Sequence, residues 1–258
     1  MIQTITLIGA GNLATRIGEA FCNVGIEISQ VYSRTEKSAS ELAARLNCPY
    51  TNIVSEINTS SDLILIAIKD DAILELLGQI NVEDSFIAHT AGSVPMSFLT
   101  RYSSKCGIFY PLQTFSKSRE IDFGEIPICI EANNLKELKF LEELGYKISK
   151  TVKEVNSDER GKLHLSAVFI CNFVNHFYHI GHQILAYEGL GFDLLKPLIK
   201  ETANKVMDLS PAEAQTGPAI RFDETIINKH LNMLEGQVEL RKIYSFVSES
   251  IHKTHKKL

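Results

Sequence analysis

A glycine-rich turn near the start of the chain has the residue types and spacing that bind a dinucleotide. It lies between an apolar run and a helical pattern and consists of Gly9, Ala10, Gly11, Asn12, Leu13 and Ala14. In this G-x-G-x-x-A pattern the first glycine permits a tight turn, the second lets the backbone approach a pyrophosphate, and the alanine lets the helix pack on the strand. Unpaired N–H groups at the helix N-terminus favour the anion. We expect residues 9–13 to bind a dinucleotide cofactor; the alternative is a tight turn without a ligand.

The residues after the second predicted strand favour NADP over NAD as the cofactor. NAD-binding folds usually place a carboxylate there to accept from the ribose 2′-OH, whereas this chain has Ser33, Arg34 and Thr35. A guanidinium can stack on adenine and pair with a 2′-phosphate, and the two hydroxyls can donate to the same oxygens. The alternative for the arginine is an exposed loop position without a ligand. Beside the nicotinamide ribose we expect Ala67, Ile68 and Lys69.

Two polar residues follow the next predicted strands, at the edge where open α/β sheets bind ligands. Asp70 is predicted to be the N-cap of a helix. His89 ends a strand shortly before Gly92, which would let the backbone approach a ligand, and it could act as an acid or base near neutral pH. The alternative is a histidine packed at the strand end and hydrogen-bonded to the backbone.

Three further candidates for the catalytic set lie in the second half of the chain. His164 and Asn172 are two turns apart on one predicted helix and about 80° apart in azimuth, so both could face one cleft. Alternatively, both are satisfied in a core or a dimer interface. Arg221 follows a glycine–proline turn and could bind a substrate carboxylate or phosphate, or pair with Asp223, itself a predicted N-cap.

A histidine repeat is the pattern that comes nearest to a metal site. His176, His179 and His182 recur on one face of a predicted helix and could in principle bind zinc. No cysteine or carboxylate cluster accompanies them in the sequence. We therefore expect structural or solvent-facing histidines and no metal.

Short apolar runs alternate with helical patterns over the first 150 residues. Strands are predicted at residues 2–8, 26–32, 62–68, 86–89, 107–110, 126–130 and 146–149. Helices are predicted at residues 12–24, 36–46, 70–77 and 135–144, and then at about 156–188, 192–208, 223–234 and 236–253. We expect an α/β fold, with a Rossmann-type, mostly parallel sheet over residues 1–152 and a second, all-helical domain over residues 153–258.

Composition excludes several classes of protein. The 258 residues carry a formal net charge of −5, without the basic excess of a nucleic-acid-binding surface. The five cysteines form no CxxC pair and lie mostly in apolar runs, which indicates free thiols and a reducing compartment. The N-terminus lacks a basic segment, and the longest apolar run, residues 163–174, is too short and too polar to span a membrane. We expect a cytoplasmic protein that binds neither nucleic acid nor membrane.

The longest predicted helix is apolar nearly all round, which indicates burial against several neighbours. A helical domain of about 105 residues offers few such neighbours. We therefore expect a second copy of the chain to cover part of this helix, giving a homodimer through the C-terminal helices.

Several segments together resemble a known family. They are GAGNLA at 9–14, YSRT at 32–35, DLILIAIKDDAI at 62–73, HTAGS at 89–93, FYPLQTF at 109–115, LHLSAVFICNF at 163–173 and TGPAIRFDETIINKHL at 216–231. The N-terminal half resembles the Rossmann domains of the 6-phosphogluconate dehydrogenase-like superfamily, which includes pyrroline-5-carboxylate reductases and deazaflavin-dependent NADP reductases. The whole chain is similar to a branch of Rossmann-like oxidoreductases whose all-helical C-terminal domain has no known function. The resemblance implies an NADP-dependent oxidoreductase and leaves its substrate open.

The chain departs from the pattern of that branch at two positions. Tyr110 stands where the branch usually has histidine, so a histidine proton donor is not available there, and Phe222 stands where it usually has glycine. Better-known members of the superfamily place lysine and asparagine one turn apart on the first long helix of the second domain. Here Lys162 is followed at i+4 by Ser166. That relay therefore cannot be transferred to this chain.

These observations predict an oxidoreductase that transfers hydride between NADPH and a small C=O or C=N substrate. A side chain such as His89 or His164 would donate the proton, and Arg221 would supply charge. Two alternatives stay open. One is a nicotinamide-nucleotide sensor or scaffold without catalysis, which the missing lysine–asparagine pair favours. The other is a pyrroline-5-carboxylate reductase proper, which the lack of a Ser/Thr-Gly-rich loop in the helical domain disfavours.

Overall fold

The computed structural model describes residues 1–256, which form two compact units, residues 1–176 and residues 177–256. The first unit contains the sheet with its helices, and the second is helical. A domain boundary after residue 152, expected from the end of the strand pattern, stays a prediction. No helix within residues 1–256 is long and apolar enough to cross a membrane.

One mostly parallel sheet forms the centre of the first unit, with the strand order β3-β2-β1-β4-β5-β6-β7-β8. The strands are β1 (Thr4–Ile8), β2 (Glu27–Tyr32), β3 (Tyr50–Thr51), β4 (Leu63–Ile66), β5 (Ile87–His89), β6 (Cys106–Pro111), β7 (Ile128–Ala132) and β8 (Val152–Glu154). Neighbouring strands are parallel except β6 and β7, which are antiparallel. The order from β3 to β6 is that of a Rossmann fold, which confirms the predicted fold class.

Helices follow most of these strands. They are α1 (Asn12–Asn23), α2 (Glu36–Leu46), α3 (Asp70–Leu77), α4 (Leu135–Ile148) and α5 (Ser157–Ala167). The first four begin at the predicted residues. Two helix starts have side-chain caps, because Asn134 accepts from backbone N–H groups of α4 and Asn156 forms a capping box with Glu159 of α5. Short 3-10 turns lie at Val54–Glu56, Met96–Arg101 and Phe123–Glu125.

The central strand β4 is buried on both faces, as expected for a parallel sheet covered by helices. Its successive residues alternate between two separate apolar clusters. Leu63 and Leu65 lie in one cluster, and Ile64 and Ile66 lie in the other. All four side chains are fully buried, and each contributes about 1.5–3 kcal/mol of hydrophobic stabilisation. The strand ends that position the candidate site are therefore fixed from both sides.

Residues 146–149 are not a strand, so that prediction is wrong. Helix α4 continues to Ile148 because Leu141, Leu144 and Ile148 form one buried face at helical spacing. The last strand is β8 instead, a few residues later. The two-residue strand β3 was not predicted either, because so short a segment carries no periodic signal.

The second unit consists of helices and their connections. The helices are α6 (Val174–Tyr187), which begins in the first unit, α7 (Lys196–Asp208), α8 (Pro211–Ala214), α9 (Pro218–Arg221), α10 (Glu224–Met233) and α11 (Val238–His255). A 3-10 turn at Phe192–Leu195 leads into α7. Asp223 caps α10 as predicted, because its carboxylate accepts from the N–H of Ile226 at 3.1 Å. The single-turn helices α8 and α9 were not predicted.

The long helical stretch that contains α5 and α6 is irregular. Between them, Val168–Phe173 form a π segment, whose i→i+5 pattern adds about one residue to a turn. The predicted azimuth of about 80° between His164 and Asn172 holds only for a regular α-helix. Because the π segment changes the number of residues per turn, that angle does not apply here.

An apolar face of this stretch is exposed rather than buried within the chain. Within the part of this stretch that belongs to the first unit, the exposed apolar side chains are Leu165, Phe169, Ile170 and Phe173. Ile170 is 74% exposed, and the rings of Phe169 and Phe173 contact each other edge to face. A contiguous exposed apolar face is typical of a protein–protein interface.

Phe222 adopts a backbone conformation that favours glycine. It ends α9 with φ 52° and ψ 49°, in the left-handed region. This conformation accounts for the glycine that the resembling branch usually has at this position. The ring of Phe222 packs on that of His252, with the centroids 4.4 Å apart, a contact that glycine would lack.

Candidate active site

The turn between β1 and α1 is built as its sequence predicts. The backbone N–H of Gly9 donates to the carbonyl of Tyr32 at 2.8 Å, which ties the turn to the end of β2. Gly9 has φ 120°, and a Cβ here would lie 2.3 Å from the carbonyl oxygen of Ala67. Only glycine combines this conformation with this close approach. Ala14 is fully buried in the apolar core, as the motif requires.

Gly11 leaves the start of α1 open. It is the N-cap of the helix, no side chain caps the helix there, and a Cβ would meet no atom within 4 Å. The first N–H groups of a helix have no partners inside the helix, and the helix dipole places positive charge beside them. The turn therefore has both the space and the donors that a pyrophosphate needs.

A cavity of about 450 Å³ extends from this turn along the ends of β2 and β4. Eight of the residues predicted to contact the cofactor line it, namely Gly9, Ala10, Gly11, Ser33, Arg34, Ala67, Ile68 and Lys69. Asn12, Leu13 and Thr35 are not part of the lining. Thr35 lies close by as the N-cap residue of α2, where its hydroxyl donates to Oγ of Ser38 at 2.8 Å.

The cavity also contains residues that sequence reasoning missed. Ser38, Glu75 and Gln79 line it. Ser38 lies three residues after Thr35, on the same face of the first turn of α2, and this spacing could have revealed it. Glu75 belongs to α3, and its position depends on how that helix packs beside β4, which no local pattern indicates.

Arg34 is exposed and forms no ion pair within residues 1–256. Its charge nevertheless acts inside the cavity. Burial raises the pKa of Tyr32, the positive charge of Arg34 opposes that rise, and Glu75 adds to it. A guanidinium placed in this way suits a phosphate group at the end of the cavity distant from the glycines.

His89 is fully buried at the end of β5. Its Nδ1 accepts from the backbone N–H of Ala91 at 3.1 Å, and its Nε2 has no partner in the described part of the chain. Burial, with a further contribution from the positive charge of Arg160, lowers the pKa of His89 to about 3. This environment favours the packed, backbone-bonded alternative for His89, and its catalytic role stays a prediction.

Lowering the pH below about 6.5 is expected to destabilise the chain through His89. An unfolded histidine titrates near pH 6.5, whereas the folded pKa is about 3, so the unfolded state takes up the proton first. The stabilising contribution is fully present above pH ~6.5 and declines as the pH falls towards 3, by about 2 kcal/mol at pH ~5. Urea unfolding at several pH values measures this slope. His89→Gln should show a flatter slope, and equal slopes for the two proteins would contradict the expectation.

A tyrosine and a histidine meet at the carboxyl ends of β5 and β6. Oη of the buried Tyr110 is 3.1 Å from Nδ1 of His164 on α5, and the two rings pack edge to face. Burial raises the pKa of Tyr110 to about 12; the charges of Cys129 and Asp70 act in the same direction and that of Arg160 acts against it. The sequence indicates His164 as a candidate, but it indicates Tyr110 only as a position that lacks the histidine of the resembling branch. The pair of the two residues was therefore not predicted.

The loop after β5 packs against this pair. A Cβ at Gly92 would lie 2.6 Å from Nδ1 of His164, so the glycine lets the loop approach the ring. The hydroxyl of Ser93 donates to the carboxylate of Asp70 and joins the loop to α3. Asp70 is the first residue of α3 and Lys69 is its N-cap residue, so the predicted capping role of Asp70 is wrong.

The other candidate residues have fewer contacts. Asn172 is exposed in the π segment of the first unit. Arg221 is exposed at the end of α9 in the second unit, and within the described chain no ion pair joins it to Asp223. The roles of both stay predictions. Of the three repeated histidines, His182 packs edge to face on Phe192, and no group of three or more metal-binding side chains lies together in residues 1–256.

Two family descriptions match the chain. Residues 4–91 match the family described as NADP oxidoreductase, coenzyme F420-dependent. Residues 126–251 match a domain of unknown function, DUF2520. No curated protein matches the sequence.

Solved structures extend these matches to the whole chain. An NADP oxidoreductase candidate from Bacteroides fragilis is 45% identical, with a TM-score of 0.94 over 98% of each chain. An imine reductase from Myxococcus stipitatus in complex with NADP+ is 17% identical, with a TM-score of 0.67 over 98% of this chain and 93% of that one. A pyrroline-5-carboxylate reductase from Coxiella burnetii is 14% identical, with a TM-score of 0.58 over 100% of this chain and 98% of that one. The last two likenesses show a shared fold. The identity to the Bacteroides protein, together with the two family matches, shows that the chain is an oxidoreductase and belongs to the NADP oxidoreductase family with a C-terminal DUF2520 domain.

Proposed function

We propose that the chain binds NADPH and transfers hydride between it and a small C=O or C=N substrate. The observation that carries the proposal is the single cavity of about 450 Å³ that joins the Gly9 turn to Arg34. At one end, a Cβ on Gly9 would fill the space beside the Ala67 carbonyl, and at the other end stands an exposed guanidinium. These two ends suit the pyrophosphate and the 2′-phosphate of one ligand.

Each part of the cavity would bind a different part of the cofactor. The N–H groups of residues 11–13 would hold the pyrophosphate, and Ser33, Arg34 and Thr35 would hold the 2′-phosphate. Backbone groups of Ala67, Ile68 and Lys69 would lie beside the nicotinamide ribose. The bound cofactor would supply the hydride, and the protein would supply orientation and control of the proton.

His164 is the best-placed candidate for the proton donor, because it is half-buried and hydrogen-bonded beside the ends of the strands. His89 is fully buried with a lowered pKa and is less suited to that task. Asn172 and Arg221 would contribute to substrate binding. Two structural relatives are named for the reduction of C=N bonds, which supports an imine as the first substrate class to test.

Removing the Arg34 guanidinium is expected to weaken NADPH binding far more than NADH binding, because only NADPH carries the 2′-phosphate. A charged hydrogen bond contributes about 1.5–3 kcal/mol, which corresponds to a loss of roughly 10- to 100-fold for NADPH. Titration calorimetry on Arg34→Ala with both nucleotides measures this loss. Arg45→Ala is the matched control, because Arg45 lies at the other end of α2 with a half-exposed side chain, and it should bind both nucleotides as the wild type does.

The same titrations test the proposed function itself. If the wild type binds neither nucleotide, the proposal fails, and if it binds NADPH and NADH equally, the NADP preference fails. Tight NADPH binding without NADPH oxidation, against a broad panel of carbonyls and imines at about pH 6–8, would favour the alternative of a nucleotide sensor.

We further propose that the protein is a cytoplasmic homodimer. The exposed apolar face of Leu165, Phe169, Ile170 and Phe173 supports a partner on this helix, and a second copy is the partner expected from the sequence. All five cysteines are free thiols, which suits a reducing compartment. Light scattering should give a mass twice the 28.8 kDa of one chain, and the mass of a single chain would contradict the dimer.

A further inference from the structure

Tyr110 and His164 form a hydrogen-bonded pair in which neither ring turns freely. Tyr110 is 8% exposed and belongs to β6, which is buried along its whole length. His164 has its ring against Gly92, so closely that a Cβ on the glycine would lie 2.6 Å from Nδ1. The link between Ser93 and Asp70 holds this loop to α3. Strand β6 therefore fixes Tyr110, and the loop at Gly92 restricts the ring of His164, so Oη and Nδ1 are held 3.1 Å apart.

The contact with the tyrosine hydroxyl favours one arrangement of the hydrogens on the histidine ring. Burial raises the pKa of Tyr110 to about 12, so Oη keeps its hydrogen at neutral pH and can donate it to Nδ1 when Nδ1 carries none. The ring hydrogen then lies on Nε2. When the imidazole is protonated, Nδ1–H donates to Oη, and Nε2 still carries a hydrogen. No hydrogen bond within residues 1–256 engages Nε2.

We infer that Tyr110 is a positioning residue that holds His164 in the form whose Nε2–H donates the proton in the reduction. The inference rests on the proposed function and adds to it a residue that acts through the histidine. Its basis is the contact between Oη and Nδ1 and the packing of the ring against Gly92.

The proton step balances with groups already named. When hydride from NADPH adds to the substrate carbon, the π bond of C=N or C=O breaks and its electron pair goes to the nitrogen or oxygen. The Nε2–H bond of protonated His164 breaks, and the proton bonds to that atom. The imidazole becomes neutral with its hydrogen on Nδ1, which still donates to Oη of Tyr110, and Nε2 regains a proton from water.

Nitrogen NMR of protein labelled on its histidine rings tests the inference without a substrate. At about pH 8.5 most histidines are neutral, and the His164 signals are those missing from the His164→Gln protein. The wild type should show Nδ1 unprotonated and hydrogen-bonded, with the Nδ1–H form undetectable. Tyr110→Phe keeps the ring and removes the hydroxyl, so the Nδ1 signal should move and the Nδ1–H form should appear. A wild-type ring protonated at Nδ1, or a spectrum unchanged in Tyr110→Phe, would overturn the inference.

A second tyrosine–histidine pair in the chain supplies the matched control. Nδ1 of His230 is 2.8 Å from Oη of Tyr244 in the second unit, and these rings also pack edge to face. Tyr244→Phe should change the signals of His230 and leave those of His164 unchanged. A change at His164 of the size seen in Tyr110→Phe would show that the effect is not specific to the Tyr110 hydroxyl and would overturn the inference.

Kinetics with a small cyclic imine, 2-methyl-1-pyrroline, then separate positioning from folding. Tyr110→Phe should lower kcat about 10-fold with the KM for NADPH unchanged, and it should have no further effect in a His164→Gln background. An additive loss in the double variant would contradict action through the histidine. If the wild type reduces no imine or carbonyl, the proposed reduction fails, whereas the NMR result still decides the role of Tyr110.

Discussion

Gly9→Ala is expected to weaken NADPH binding by about 100-fold or more and to lower the free energy of unfolding by about 2–4 kcal/mol. A Cβ at this position would lie 2.3 Å from the carbonyl oxygen of Ala67, so the turn and the end of β4 would have to move apart. The φ of 120° adds strain for any residue with a Cβ. Both effects act on the turn proposed to hold the pyrophosphate.

Two other glycines separate the causes of this loss. Gly25 also has a positive φ, 78°, but a Cβ there would meet no atom within 4 Å, so Gly25→Ala tests strain alone and should retain NADPH binding. Gly11→Ala should leave stability within about 1 kcal/mol of wild type, because a Cβ has room, yet weaken NADPH binding by blocking the approach of the phosphates. Calorimetry and urea unfolding measure both quantities. Undiminished NADPH binding by Gly9→Ala would refute a role for this turn.

Arg160→Met is expected to lower the free energy of unfolding by about 3–5 kcal/mol, the cost of leaving one member of a buried ion pair alone. Arg160 is 1% exposed, its guanidinium contacts the carboxylate of Glu131, and it donates to the carbonyl of Val94 at 2.6 Å. Glu131 also accepts from the hydroxyl of Ser157 at 2.7 Å. The substitution would remove the cation and leave that carboxylate with one neutral partner.

The ion pair can be distinguished from simple loss of packing. The double variant Arg160→Met, Glu131→Gln should recover most of the stability, because no charge is then left unpaired. Lys150→Met breaks an exposed ion pair with Glu125 and should leave the urea midpoint unchanged. Urea unfolding followed by circular dichroism gives all three midpoints. If Arg160→Met shifts the midpoint no more than Lys150→Met does, the buried pair has no stabilising role.

The cofactor half of the site could be predicted because its signals are local. The glycine spacing, the helix start at Asn12 and the residues after β2 all fall within about 30 residues of the chain. The parallel pairing of β1 with β2 brings these segments together through one right-handed β-α-β unit. Arg34 therefore lines the same cavity as the glycines, because the β-α-β unit always brings these two segments together. A sequence pattern can identify such a unit.

The tyrosine–histidine pair could not be predicted, because its members are 54 residues apart and meet only through the packing of α5 on the loop after β5. Residues 146–149 show the same limit. Their composition suits a strand, but the buried face that Leu141 and Leu144 form with Ile148 extends the helix through them. The π segment at Val168–Phe173 also lacks a distinguishing composition, so the spacing of His164 and Asn172 was interpreted as regular.

Strands β7 and β8 both run in the direction opposite to β6, so the chain passes Tyr110 again before α5 begins. Tyr110 is level with Cys129 on β7, and Cys129 is level with Lys153 on β8. The chain therefore reverses once more at the Asn156 cap, and α5 carries His164 back to Tyr110. One residue added within α5 before His164 would rotate the histidine by about 100° around the helix axis, relative to the Asn156 cap. The number of residues between that cap and His164 thus selects the side chain that meets the tyrosine.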